Sequence, residues 1–503
     1  MSQSSRWAAR WCLPAIVIAY VIVAVLYTVF TPAWQAPDEP AHYNYVRHLA
    51  EQHRFPVLVP GDYPAAYLDE IKAARFPPDM TIAPIRYEFH QPPLYYLLAV
   101  PVYSLFGGEL LPLRLLSVAI GALILLMVHA IAREVAPQSE GLALGATAFV
   151  AFLPMHVALT AAVTNDPLAE LMLAAVLLLA IRYVKLPAGQ AAHAAVVRAL
   201  VLLGIASGVA MICKSGIYIA VPLVLAAIAA RALILAGDQP DRVLARDAAL
   251  VLAPAVALAL PWWLRNAALY GGLDVLGLAR HNLVVAGQLR TADYISLHGA
   301  SQWVREFVTV TFRSFWGQFG WMGVLLDQRL YQALAILSAL ALAGLAAWAV
   351  RAVQELPQRR PAWPPWRLAA TGLLALSVLL AAASYLWYNT QFVQFQGRYL
   401  FSALPAIGLA FAVGWREALR RERAWLMAAL VLSGALLLAL AGLLRGDLAG
   451  WPLLMLLAVA AALALRASLP SRWTPAVQAV PYVALVALDL VCLFLFIVPQ
   501  LSL

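Results

Sequence analysis

Charge and sulfur are both scarce in this 503-residue chain. Charged side chains make up 12% of it against 64% hydrophobic residues, about half the ~25% charge of an ordinary soluble domain. That composition excludes a soluble globular protein. The three cysteines, Cys12, Cys213 and Cys492, lie in or beside apolar runs, with no metal-ligand spacing and no disulfide framework. No internal repeat or low-complexity linker stands out. The formal charge of +9 does not call for nucleic acid, because membrane proteins gather their excess Lys and Arg on the cytoplasmic side. The basic residues cluster in that way. Arg351, Arg359, Arg360 and Arg367 share one short loop, and Arg416, Arg420, Arg421 and Arg423 another.

What the chain has in abundance is apolar runs of membrane-spanning length. They fall at 12–32, 114–132, 143–163, 167–184, 198–213, 216–236, 247–264, 329–350, 368–388, 399–415, 425–443, 449–465 and 478–498. The expectation is an all-α polytopic membrane protein of about thirteen spans, one integral unit over 1–503. The first run follows Arg6 and Arg10 and is longer than a signal-peptide core, so it reads as an uncleaved anchor. Pro92–Phe106 is apolar but short and flanked by proline. Counting it as a crossing would turn both arginine-rich loops outward, so it reads as interfacial or re-entrant. The protein is then expected in the plasma (inner) membrane with its N-terminus cytoplasmic. Long loops 33–113 and 265–328, carrying interfacial helices, and the turns at Thr164–Asp166, Lys214–Ser215 and Tyr388–Arg398 all face outward.

Nearly all the chemically informative residues lie on that face. Ala36-Pro37-Asp38-Glu39-Pro40-Ala41-His42 follows the first span. The acid pair can cap the helix that begins there, or a carboxylate can take a proton from an acceptor hydroxyl. Helical spacing sets Asp38 and His42 on one face. In Tyr87-Glu88-Phe89-His90-Gln91-Pro92-Pro93-Leu94 the prolines fix the chain, and His90 is a structural histidine or a site residue. Arg114 opens an outer membrane boundary, where it either snorkels or binds an anion. Asn165-Asp166-Pro167 is explained by a turn alone. Lys214 is a snorkelling or an anion-paired cation.

Arg265 follows an interfacial tryptophan pair. Trp316 and Trp321, interleaved with glycines, fit a sugar-stacking platform and membrane anchoring equally. Gln396-Gly397-Arg398-Tyr399 brings a second outer-boundary arginine, whose planar fork suits phosphate, beside a glycine that allows close backbone approach. Cations converging on an acid pair make a site for a phosphorylated lipid. Asp489, inside the last span, reads as a neutral, hydrogen-bonded carboxyl.

In order along the chain, Asp38-Glu39, His90-Gln91-Pro92-Pro93-Leu94, Leu113-Arg114-Leu115, Asn165-Asp166, Arg265-Asn266 and Gln396-Gly397-Arg398-Tyr399-Leu400 resemble the GT-C superfamily of membrane glycosyltransferases. The likeness is strongest to the protein O-mannosyltransferase and aminoarabinose-transferase branch (glycosyltransferase family 39-like). The resemblance implies a GT-C-like bundle and a polyprenyl-phosphate-linked monosaccharide as donor, transferred with inversion to an acceptor hydroxyl. It also implies Asp38 as general base, with Glu39 orienting Asp38 or a cationic partner. Arg114 matches a family arginine, and Arg398 is the candidate phosphate clamp with Lys214 and Arg265 behind it. His42, His90, Asn165, Asp166, Gln396 and Tyr399 complete the expected binding residues.

The chain departs from the family pattern in three ways. Two residues rather than one separate the acid pair from His42, Gln91 replaces a basic residue beside the prolines, and no large soluble C-terminal domain or lectin-like insertion is evident. Adjacent Asp38 and Glu39 are no complete ligand set for a hard cation, so no metal or other cofactor is expected. The partners implied are the lipid-linked donor, membrane lipids, and a glycolipid, cell-wall polymer or protein as acceptor. The rival functions are a lipid-linked glycan polymerase or ligase and a secondary transporter. A transporter would want a midplane site on broken helices.

Overall fold

A computed structural model describes residues 3–187, 192–234, 240–355 and 364–502; Arg359 and Arg360 lie outside the described residues. The described residues are mostly helical. It opens with α1 (Gln3–Phe30), and the first long loop follows with α2 (Glu39–Gln52), α3 (Ala65–Ala73) and α4 (Leu94–Leu105). Next come α5 (Leu110–Val135), α6 (Glu140–Ala151), α7 (Pro154–Thr160), α8 (Asp166–Lys185), α9 (His193–Met211), α10 (Ala220–Ile234) and α11 (Pro240–Tyr270). The second long loop holds α12 (Leu278–Val284), α13 (Thr291–His298), α14 (Ala300–Trp316) and a two-strand hairpin, β1 (Gln318–Phe319) and β2 (Val324–Leu325). The bundle ends with α15 (Gln328–Glu355), α16 (Pro365–Asn389), α17 (Leu404–Ala418), α18 (Ala424–Arg445), α19 (Gly450–Ser468), α20 (Thr474–Val491) and α21 (Val498–Leu501).

Among the described residues, twelve helices are long and apolar enough to cross a membrane, and thirteen with one bent pair taken as a single span. The chain is an integral membrane protein of the polytopic all-α class. At 12 residues, α4 is about 18 Å long, short of the ~30 Å hydrocarbon core. The bent pair corrects one expectation. The run 143–163 is not one straight span but α6 and α7, turned 65° from each other. Pro154 is the cause, since proline disfavours helical backbone in the residue before it. Leu153 accordingly sits extended, at φ −80° and ψ 110°.

Between spans in lipid the hydrophobic effect does little, and close backbone packing takes over. α15 and α17 show this at Gly344 and Gly414. A Cβ on Gly414 would lie 2.1 Å from the Ala341 carbonyl oxygen, so only glycine permits that crossing. Polar bonds add fixed points, as where the Tyr20 hydroxyl donates to Thr160 Oγ1 at 2.8 Å and Tyr27 to the Asp489 carbonyl at 2.9 Å. The Asp489 carboxyl itself is fully buried and finds no hydrogen-bond partner among the described residues. The expected hydrogen bond is therefore on its backbone instead.

One end of the bundle gathers the end of α1, the starts of α5, α8, α10 and α17, and the ends of α9, α11 and α16. Both long loops fold over that end. At the other end Arg351, Arg420 and Arg423 surround the buried Glu417 carboxylate at 3.1–3.2 Å.

Candidate functional site

The two adjacent acids take different partners. Asp38 stands where a helix cap belongs, yet its side chain makes no capping bond, and its backbone is left-handed at φ 67°. Its carboxylate faces away from the helix and accepts from the Tyr87 hydroxyl at 2.8 Å and from Arg398 Nη2 at 2.7 Å. Burial opposes ionisation of Asp38. Arg398, His42 and the hydrogen bonds from Arg398 and Tyr87 outweigh it and hold the carboxyl below its usual range.

Glu39 points into the protein and is fully buried. Arg114 grips it with Nε at 2.8 Å and Nη2 at 2.6 Å, and the backbone N–H groups of Trp34 and Val163 donate to it at 3.1 Å. The same guanidinium donates to the carbonyls of Thr28, Thr31 and Pro32. All this hydrogen bonding is spent on the frame. Glu39 thus holds a cationic partner, as expected, while Arg114 spends its donors on Glu39 and three carbonyls and keeps none for an anion.

Arg398 is set by Gly397. A Cβ there would come within 2.5 Å of the Phe315 nitrogen and the Thr311 carbonyl oxygen. The chain therefore crosses α14 at backbone contact, and Gly397 N–H donates to Ser314 Oγ at 2.7 Å. Arg398 Nε then donates to Gln396 Oε1 at 2.7 Å while its Nη2 reaches Asp38.

Two cavities meet at this ion pair. The larger, about 580 Å³, has polar residues at one end, among them Asp38, His42, Asn165, Asp166, Lys214 and Arg398. Apolar side chains line it as well, from Ile217 and Ile219 in the turn before α10, Pro222 of α10, and Ala381 and Trp387 of α16. The smaller, about 240 Å³, lies under the loops. Asp38, Glu88, His281, Tyr388, Arg398 and Tyr399 border both.

Around the polar end, Lys214 is paired with Asp166. Asn165 donates to the Cys213 carbonyl at 3.2 Å, and its buried Oδ1 has no partner among the described residues. Gln91, at the position where a basic residue was expected, accepts from the Ser215 N–H and hydroxyl at 3.2 Å. It thereby ties the paired-proline loop to the Lys214 turn. His42 lies 2.8 Å from the Tyr96 hydroxyl. Burial lowers its pKa, against the opposing pull of Glu88 and Asp38. His90 lines the larger cavity with its ring 4.4 Å from that of His281. Burial lowers His90 to about 4 and His281 to about 3.

Arg265 does not join the group. It donates to the Pro56 carbonyl, lies over the Trp262 ring at 4.4 Å, and borders neither cavity. Trp316 is buried in the core, whereas Trp321 borders the smaller cavity. Glu88 was passed over in the sequence. It is a buried carboxyl bordering both cavities, with Oε2 unpartnered among the described residues and its pKa pushed up by burial and by the charge of Asp38. An acid set among aromatics and prolines was the available signal. His281 carried none. No group of three or more His, Cys, Asp or Glu among the described residues is arranged to hold a metal ion.

Comparison with known proteins agrees with this architecture. Residues 90–264, about a third of the chain, match the dolichyl-phosphate-mannose-protein mannosyltransferase family. The fold is similar to that of ArnT from Cupriavidus metallidurans in the apo state, at TM-score 0.51 and 16% identity, covering 98% of this chain and 77% of that one. ArnT bound to undecaprenyl phosphate gives TM-score 0.44 at 15% identity, covering 96% and 78%. The Archaeoglobus fulgidus oligosaccharyltransferase gives 0.49 at 15% identity, covering 95% of this chain but only 56% of its own length. No curated protein sequence matches the chain significantly. Partial family match and whole-chain fold together bear out the GT-C resemblance read from the sequence.

Proposed function

We propose that this GT-C-fold protein moves a monosaccharide from a polyprenyl-phosphate donor to an acceptor hydroxyl in a single inverting displacement. The observation that carries this reading is the Asp38–Arg398 pair at the junction of the two cavities. The mannosyltransferase match supports it, since that family's donor is a sugar on a lipid phosphate. The larger cavity suits such a donor. Its apolar walls fit a polyprenyl chain, and Lys214 and Arg398 offer cations to the phosphate.

The geometry suggests an order of events. In the empty site Arg398 holds Asp38 below its usual pKa. A donor phosphate competes for that guanidinium, and Asp38 becomes more basic as its partner turns away. The acceptor oxygen attacks the anomeric carbon while the bond to the phosphate oxygen breaks. The hydroxyl proton passes to Asp38 and then to water. The lipid phosphate departs with its charge on Lys214 and Arg398, which is where stabilisation of the leaving group has its largest effect. Asp166 holds the Lys214 ammonium, Asn165 offers its unpartnered oxygen, and Tyr399 and Gln396 brace Arg398. His42 lines the pocket beside His90, whose ring burial keeps neutral. No cofactor enters the scheme. The site is proposed to face outward, with the N-terminus cytoplasmic, because the arginine-rich loops sit at the opposite end.

Binding of undecaprenyl phosphate to the full-length protein in lipid nanodiscs tests the donor site. Lys214→Ala should weaken it about ten- to a hundredfold, as loss of a charged hydrogen bond does, while the exposed outer-loop variant Arg54→Ala should not. Equal binding by wild type and Lys214→Ala would remove the phosphate from this cavity.

A further inference from the structure

We infer that the smaller cavity is the acceptor subsite and that it receives the ring of a neutral carbohydrate. The word acceptor rests on the transferase reading; sugar binding in this cavity does not, and is tested separately.

The cavity's lining argues for the ligand class. Trp321 and Tyr63 line it with aromatic rings, and Gln288, Gln394 and Gln396 line it with three side-chain amides, of which Gln396 is already bonded to Gln394 and Arg398. Amides both donate and accept, which matches hydroxyls that do the same. Aromatic faces match the C–H faces of a pyranose, and a few placed polar groups beside such faces are the usual make-up of a specific small-ligand site. Lys72, also in the lining, stands 5.5 Å from the centre of the Trp321 ring. Phe76 stacks against the same ring, with centroids 6.0 Å apart.

Charge argues against an acidic ring, and burial holds the lining Glu88 toward its neutral form. The cations that border the space are already matched, Lys72 by Asp69 at 2.7 Å and Arg398 by Asp38 at 2.7 Å. Size argues against a chain. At about 240 Å³ the cavity is below the ~300–1,000 Å³ of pockets for drug-sized ligands.

Backbone strain is a second and independent observation. Three non-glycine residues of the lining, Asp38, Trp321 and Met322, hold left-handed backbone at φ 67°, 51° and 68°. Such strain collects at ligand clamps, where surrounding structure enforces it. Here the hairpin turn between β1 and β2 presents Trp321, and a bond from its Nε1–H to the Trp34 carbonyl at 3.0 Å fixes the ring. Position completes the argument. Asp38 borders both cavities whereas Lys214 borders only the larger, so a hydroxyl held here meets the base from a different space than the one that carries Lys214.

The test is saturation-transfer NMR on the full-length protein in nanodiscs, with methyl glycosides of glucose, mannose, galactose and N-acetylglucosamine, and a Ser/Thr-containing hexapeptide alongside. At least one glycoside should bind. Trp321→Ala and Gln288→Ala should each weaken it about tenfold, Trp321→Phe should restore most of it, and undecaprenyl phosphate binding should stay unchanged in all three. A glycolipid with the same headgroup distinguishes a membrane-borne from a soluble glycan. Trp321-dependent preference for the glycolipid assigns the first and equal response the second, and both uphold the subsite. Absence of glycoside binding, binding indifferent to both substitutions, or Trp321-dependent binding of the peptide instead would overturn the inference. Glycoside binding at Trp321 without any undecaprenyl phosphate binding would overturn the transferase reading and leave the sugar subsite standing.

Discussion

A buried histidine stays neutral where its charged form loses more solvation than neighbouring anions return. His90 and His281 are such a pair, at about 4 and about 3 against an ordinary 6.5. Unfolded, both would bind protons as pH falls through 6.5; folded, they resist until about 4. Between those limits the unfolded state binds more protons, so stability falls as pH falls through that window. The apparent melting temperature in nanodiscs should drop from pH 6.5 to 4, and the double substitution His90→Asn with His281→Asn should flatten that slope. An unchanged slope would place the acid sensitivity elsewhere. Glu88, whose pKa is raised, contributes with the opposite sign, so the difference between variant and wild type is the quantity to read. The sequence made His90 visible through its prolines but gave no sign of its partner, which lies in the other long loop.

The frame under Asp38 is a property of joined elements. Glu39 and Arg114 are 75 residues apart, and together they pin the end of α1, the start of α2, the start of α5 and the turn between α7 and α8. Removing one partner of a buried pair leaves the other's charge stranded, at a cost of about 3–5 kcal/mol. Arg114→Ala should therefore unfold at markedly lower temperature, and Arg114→Met with Glu39→Gln should recover most of the loss. If Arg114→Ala melts like wild type, the pair is no clamp. The sequence showed both residues at the right boundary. It could not show that the two adjacent acids serve different arginines, since helical neighbours point in different directions and the second partner of the acid pair is 360 residues away. The break between α6 and α7 was missed for a related reason. Hydropathy averages over a window, while the bend depends on Pro154 acting on one residue.

The membrane framework was the most legible part, because a span must satisfy its backbone internally and present about 20 apolar residues to lipid. The side that the site faces was read only from charge. Cysteine labelling in intact cells checks it. A membrane-impermeant maleimide should label Leu273→Cys, in the second long loop, and leave Arg472→Cys unlabelled; the reverse pattern would turn the molecule over. What hydropathy cannot supply is which loop residues meet, and two of the residues bordering both cavities, Glu88 and His281, emerged only in three dimensions.

The most direct test is transfer itself. Purified protein in nanodiscs should consume a polyprenyl-phosphate sugar from a radiolabelled panel and pass the label to an envelope acceptor fraction. Asp38→Asn should still fold and bind undecaprenyl phosphate, yet transfer at least about a hundredfold more slowly, the order expected for loss of a general base. Equal transfer by wild type and Asp38→Asn would contradict the mechanism proposed here and leave Asp38 as no more than an anchor for Arg398.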